Sequence, residues 1–153
     1  MRALELKVPP PIVILVMAIL MWLIARATPE LGFSFPGRQL VAIVVAVLGL
    51  ATGASGVVTF RLARTTVNPM RPDSSSSLVS WGVFSVTRNP MYLGGLIILT
   101  SWAIFLSNAP DLLFLPAYIL YINRFQIVPE ERALTGLFGK AFGDYQSQTR
   151  RWL

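Results

Sequence analysis

Glu130 and Glu131 stand side by side just past one apolar run, and Arg88, Asn89, Pro90 and Tyr92 stand just before another. No histidine and no cysteine occur in the chain. The commonest general base and metal ligand is therefore missing, and neither a disulfide nor a thiolate metal site can form. No metal site is expected. Chemistry has to come from carboxylates, arginines, tyrosines, hydroxyls or the backbone. A carboxylate drawn out of water needs a cationic partner or a ligand. Neighbours on a helix do not share a face. One glutamate can turn into a pocket while the other meets water or a backbone amide at a helix start. A salt bridge to Arg88 or Arg124, or plain helix capping, accounts for the same residues, and their types alone do not choose.

The elements that must position these side chains are apolar. The chain is 54% hydrophobic and 13% charged over 153 residues, against about 25% charged in a soluble domain. Its mean hydropathy is +0.63. A globule this small has too little interior to hide that surface, so lipid is the expected solvent. The reading is an all-α integral membrane bundle of about four transmembrane helices, one domain over 1–153, with spans at 8–26, 39–60, 90–107 and 111–128. An amphipathic helix over 130–146 follows them. Pro9, Pro10 and Pro11 suit a first helical turn. Ala25-Arg26-Ala27 resembles a signal-peptidase site, which makes a cleaved leader the alternative for the first segment. Gly49 and Gly53 form a small-xxx-small pair that lets another helix, including one of a second copy, approach closely.

Residues 61–88 read as a polar loop with Asn68-Pro69, Arg71-Pro72-Asp73 and the serines Ser74 to Ser77. Asn108-Ala109-Pro110-Asp111 is a tight-turn signal. Only 12 residues, Leu112 to Asn123, precede Arg124 in the fourth segment, which is short for a span, so the helix is expected to continue through Phe125, Ile127 and Val128. Beyond Glu130, the residues Leu134, Leu137, Phe138, Ala141, Phe142 and Tyr145 recur on one helical face.

Four spans put both termini on one side. Eleven of the thirteen basic residues fall there, leaving Arg26 and Arg38 on the other. The positive-inside rule makes the eleven-residue side cytoplasmic in a bacterial-type inner membrane. The net charge of +6 thus reads as an orientation signal rather than a nucleic-acid footprint. The third and fourth spans form a hairpin, so topology alone brings the Arg88–Tyr92 cluster close to the cluster of Arg124, Gln126, Glu130 and Glu131.

Taken together, Gly82-Val83-Phe84, Arg88-Asn89-Pro90-Met91-Tyr92-Leu93-Gly94, Glu130-Glu131-Arg132-Ala133-Leu134, Phe138-Gly139, Tyr145 and Arg151-Trp152 carry a resemblance. Their order and spacing resemble the isoprenylcysteine carboxyl methyltransferase and phospholipid methyltransferase superfamily. The resemblance covers residues 63–153; the first two spans match only in being hydrophobic. It implies an S-adenosylmethionine-dependent methyltransferase with the cofactor between the pre-span loop, the hairpin and the C-terminal helix. By position it implies that Ser77, Leu78 and Val79 line the cofactor through their backbone. Phe84, Arg88, Asn89, Pro90, Met91, Tyr92 and Gly94, just before and at the start of the third span, would bind the cofactor, with Glu130 and Glu131 opposite. Glu130 takes the cofactor-binding glutamate's place, and Arg124 lies near the place of a substrate-handling arginine, so these two are the catalytic candidates. Glu130 can pair with the ammonium and Arg88 with the carboxylate of that cofactor, while Phe84, Tyr92 or Trp81 can face adenine or the sulfonium. The sequence departs from the family at Asn89, where the eukaryotic isoprenylcysteine enzymes have histidine. It departs again at Phe142, in place of tyrosine, and at Trp81, in place of a small residue.

The implied partners are the bilayer and a lipophilic or small methyl acceptor. Without histidine, a carboxylate or thiol acceptor is favoured over an amine, which must shed a proton. Two other readings compete: a non-catalytic scaffold or ligand-binding protein of the same fold, and a small transporter or channel subunit. Against the transporter, the apolar segments hold almost no charge.

Overall fold

The computed structural model describes residues 5–64 and 77–153. The expected polar loop is thus outside the described residues at 65–76, including Asn68, Arg71 and Ser74 to Ser76. The fold is all-α. Six α-helices are described: α1 (Pro10–Ala27), α2 (Arg38–Leu62), α3 (Pro90–Leu106), α4 (Phe114–Ile122), α5 (Val128–Phe138) and α6 (Lys140–Gln148). Turns of 3-10 helix at Ala109–Leu113 and of π-helix at Asn123–Ile127 join α4 to its neighbours. Ala109–Phe138 is therefore one helical stretch of 30 residues, and the helix does continue past Arg124.

Among the described residues, three helical stretches are long and apolar enough to cross a membrane: Pro10–Ala27, Arg38–Leu62 and Ala109–Phe138. The helix between them, α3, is apolar but has 17 residues. Leu40, Ile43, Val47 and Leu50 form one stripe on α2, each more than half exposed. Such a stripe is too apolar for a water-facing surface, and with the helix lengths it makes this an integral membrane protein.

Proline and glycine set the helix ends and the closest contacts. Pro10 and Pro90 start α1 and α3, where a missing N–H costs nothing. Gly94 of α3 lies against the α2 backbone: a Cβ there would stand 2.7 Å from both the Gly49 oxygen and the Gly53 nitrogen. The sequence reading left the Gly49/Gly53 face open to any neighbouring helix, one of a second copy included. In the structure α3 of the same chain takes it, because two glycines on one helix and one on the next allow backbone-to-backbone approach. Ser101 Oγ adds a hydrogen bond to the Ala42 oxygen at 2.7 Å. Gly95, on the other side of α3, makes room for the Tyr118 hydroxyl and Ile14.

The main core lies between α1, α3 and α4, around Val13, Met21, Leu99, Ala103, Tyr118, Ile122 and Ile127. A second cluster of Val79, Phe84, Phe142 and Tyr145 packs beneath the C-terminal helices, with Phe60, Leu78, Leu134 and Phe138 against it. The single amphipathic helix expected over 130–146 is divided. Gly139, at φ +49°, breaks it between α5 and α6. The break resets the helical phase, so Phe142 and Tyr145 are buried while Leu137 and Ala141 face outward.

Candidate functional site

The amino end of α3 and the junction of α4 with α5 meet at one end of the bundle, as the hairpin requires. Tyr92 lies in the first turn of α3. Its hydroxyl donates a short hydrogen bond to Glu130 Oε1 of α5. Among the described residues, that is the only hydrogen bond the Glu130 side chain makes. Tyr92 is held in turn, because the Tyr118 hydroxyl donates to its backbone oxygen at 3.2 Å.

Glu131 has a different environment. Arg88 Nη2 meets its Oε1 at 2.9 Å, and Arg151 Nη2 meets its Oε2 at 2.6 Å, with Arg151 Nε 3.1 Å from Oε1. The two adjacent glutamates thus do separate work, as their opposed faces require. Glu131 is a clamp between two arginines, whereas among the described residues no ion pair involves Glu130. The salt-bridge alternative holds for Glu131 with Arg88, and Arg124 takes no part in it.

Arg88 is also held by residues 146–150, although its buried Nε has no partner. Its Nη1 donates to the oxygens of Gln146 at 3.0 Å and Thr149 at 2.8 Å, and its amide donates to the Arg150 oxygen at 3.0 Å. Asn89 Nδ2 and Thr87 Oγ1 both donate to the Arg151 oxygen, at 2.9 and 3.3 Å. Trp152 Nε1 donates to Asn123 Oδ1 at 3.1 Å. Residues 149–153 therefore form a strap across the start of α3 and onto the π-helical turn. The asparagine that replaces histidine secures this strap.

The amino end pins the same turn from the other side. Pro129 has no amide hydrogen to give to the Phe125 carbonyl one turn back. The Leu6 amide donates to that carbonyl instead, at 3.0 Å. Gln126 Nε2 donates to the Val8 oxygen at 2.7 Å. Arg124 and Arg132 meet the Glu5 carboxylate at 2.8 and 3.3 Å, and these two cations hold its carboxyl below the usual range. Arg124 thus lies on the N-terminal segment, with a half-exposed side chain that also covers the Phe125 ring. Glu130 lies six positions further on, so the two do not share a helical face.

The remaining sequence candidates divide in the same way. Met91 is half-buried, and it packs with the buried Pro90 against Gly56 of α2. Gly94 is a packing contact. Phe84 is stacked on Phe60 with ring centroids 4.6 Å apart, and its oxygen accepts the Tyr145 hydroxyl at 2.7 Å. Burial pushes that phenol up to about 12. Val79 and Leu78 join this cluster, and Ser77 Oγ reaches the Ala63 oxygen at 3.4 Å. Trp81 is exposed.

The donor set fits an amino-acid-bearing cofactor better at Glu130 than at Arg88. Glu130 offers a carboxylate to an ammonium, and the Gln126 Oε1 atom is buried without a partner. Among the described residues no cluster suits a metal ion. Thr87, Asn123 and the roles of Glu5, Arg151 and Trp152 were not legible beforehand, because bonds from chain ends carry no periodic signal.

A family model described as phospholipid methyltransferase matches residues 38–141, more than half of the chain. The match takes in α2, which the motifs alone did not reach, and stops short of the C-terminal strap. An uncharacterized protein of Haemophilus influenzae is 43% identical over 48 residues, 31% of this chain and 76% of that protein. No solved structure matches.

Proposed function

The chain belongs to the phospholipid methyltransferase family, and from that premise we propose that it is a membrane methyltransferase using S-adenosylmethionine. The observation that carries the reading is the Tyr92–Glu130 contact, which joins α3 to α5 inside the matched region. That cofactor supplies a sulfonium-bound methyl group open to displacement by a nucleophile. Glu130 pairs with its ammonium, and the Tyr92 hydroxyl fixes which Glu130 oxygen is free to do so. The Glu131 clamp with Arg88 and Arg151 holds α5, α3 and the strap in one geometry. Holding the reactants in line is the main catalytic contribution available here. The carboxylate partner for the cofactor is Glu130 alone, and Arg124 serves the N-terminal segment rather than the acceptor.

The acceptor is a lipophilic or small molecule arriving from the bilayer at the end of α3 and α5. With no histidine to remove a proton, an acceptor that is already anionic, a carboxylate or thiolate, is favoured over an amine. The chain lies in a bacterial-type inner membrane with this end of the bundle cytoplasmic, which the distribution of basic residues supports.

The test uses purified protein in detergent with radiolabelled S-adenosylmethionine and three lipophilic acceptors bearing a carboxylate, a thiol or an amine. Transfer to the first two, abolished by excess S-adenosylhomocysteine, is the expected result. Transfer confined to the amine overturns the acceptor assignment. Failure of folded protein to bind either nucleoside overturns the whole reading and favours a non-catalytic role.

A further inference from the structure

The inward face of the stretch from α4 to α5 carries Tyr118, Ile122, Gln126 and Glu130, every fourth residue. The first three are completely buried. Two apolar or hydrogen-bonded side chains in that series are ordinary core. Gln126 is not. It sits in the π-helical turn Asn123–Ile127, a distortion that recurs at functional sites. Its Nε2 donates to the Val8 oxygen at 2.7 Å, while its Oε1 is buried with no partner.

An unpaired buried acceptor costs about 1–3 kcal/mol relative to one that is satisfied, so a retained one needs an explanation. Turning the amide over does not relieve it. That would set Oε1 against the Val8 oxygen, two acceptors face to face, and leave Nε2 unpaired. The Val8 bond therefore fixes the amide plane and the side on which Oε1 lies. A second acceptor, Glu130, stands one turn away on the same face, with about 5–6 Å between the two Cβ atoms. The carboxylate has Tyr92 on Oε1. What the pair lacks is a donor able to serve two oxygens at once.

We infer that Gln126 Oε1 accepts a hydrogen bond from the ammonium of the methyl donor's amino-acid tail, alongside Glu130. An ammonium has three N–H donors, enough for both oxygens. The carboxylate supplies charge, and the amide supplies direction without adding a second negative charge to the site. The inference rests on the methyltransferase reading proposed above. It extends that reading to a residue anchored by the N-terminal segment, which links residues 5–8 to ligand recognition through the Val8 oxygen.

The experiment compares three ligands on wild type and Gln126→Met, a replacement of similar length with no amide oxygen. The ligands are S-adenosylhomocysteine, its desamino analogue and methylthioadenosine, which lacks the tail altogether. In wild type, removing the ammonium should weaken binding. In Gln126→Met, S-adenosylhomocysteine should lose about tenfold, the low end for a hydrogen bond to a charged group. Methylthioadenosine should be unchanged within about twofold, and the penalty for removing the ammonium should shrink. Equal losses for S-adenosylhomocysteine and methylthioadenosine would mean that Gln126 only shapes the site, and the inference falls. Wild type that binds the desamino analogue as tightly as the parent also overturns it, with no variant needed. Wild type that binds none of the three refutes the methyltransferase reading itself, a distinct result.

Discussion

Replacing each glutamate of the adjacent pair by glutamine should produce opposite phenotypes. Glu131 accepts three charge-assisted contacts, and its side chain and that of Arg88 are 15% and 12% exposed, whereas Arg151 is 37% exposed. A hydrogen bond to a charged group contributes about 1.5–3 kcal/mol when shielded, and a pair as open as the Arg151 one contributes about 0–1 kcal/mol. Glutamine keeps part of the geometry, so Glu131→Gln should cost about 2 kcal/mol. For a chain of this size that is a drop of about 4–8 °C in Tm. Glu130→Gln keeps an acceptor for the Tyr92 hydroxyl and should lower Tm by less than about 3 °C, since a neutral hydrogen bond contributes about 1 kcal/mol. Its affinity for S-adenosylhomocysteine should fall by roughly ten- to a hundredfold, the loss of a charged partner for the ammonium. Thermal unfolding followed by tryptophan fluorescence in detergent gives the first quantity, and calorimetric titration gives the second. The division of labour is refuted if both variants move both quantities alike. It is reversed if Glu131→Gln weakens binding at unchanged Tm.

Gly94→Ala should destabilise the protein by about 1–3 kcal/mol, the usual penalty for overpacking, because the new methyl meets the backbone of α2 at 2.7 Å. Gly53→Ala is the control, since nothing lies within 4 Å of a Cβ there; equal losses in a detergent unfolding titration would discredit the packing argument. The Glu5 clamp should loosen in acid. Its folded pKa is lowered by Arg124 and Arg132, so its contribution is complete above the usual carboxylate range and is lost as pH falls through the folded value. Hydrogen-exchange protection of the Leu6 amide, corrected for intrinsic rates, should drop in that window, and Arg124→Gln should remove most of the pH dependence.

Much of the architecture was readable because its causes are local. Runs of apolar residues bounded by Pro10, Gly37 and Pro90 mark helices wherever they pack, and a hairpin brings its two ends together whatever its side chains do. The turn residues Asn108 to Asp111 set where that hairpin closes. The pairing of Tyr92 with Glu130 then follows from register, although their contact is 38 residues apart in sequence. The reading of 130–146 as one helix failed at Gly139, since periodicity counts apolar positions and does not register a positive φ. Gly49 and Gly53 signalled close approach correctly, but a small-residue spacing does not say which helix approaches.

The sequence by itself determined the all-α membrane class, the apolar segments and the family motifs, because hydrophobic length and local spacing act without reference to distant residues. It also placed Glu130 and Tyr92 at the same end of the bundle. Only the tertiary structure decided that Glu131 belongs to Arg88 and Arg151, that Arg124 belongs to Glu5, and that Gln126 has an oxygen to spare. Each of those outcomes depends on which group reaches a given face first. For a charged or amide side chain near the end of a bundle, that competition is settled by the chain ends folding back, and no local pattern encodes it.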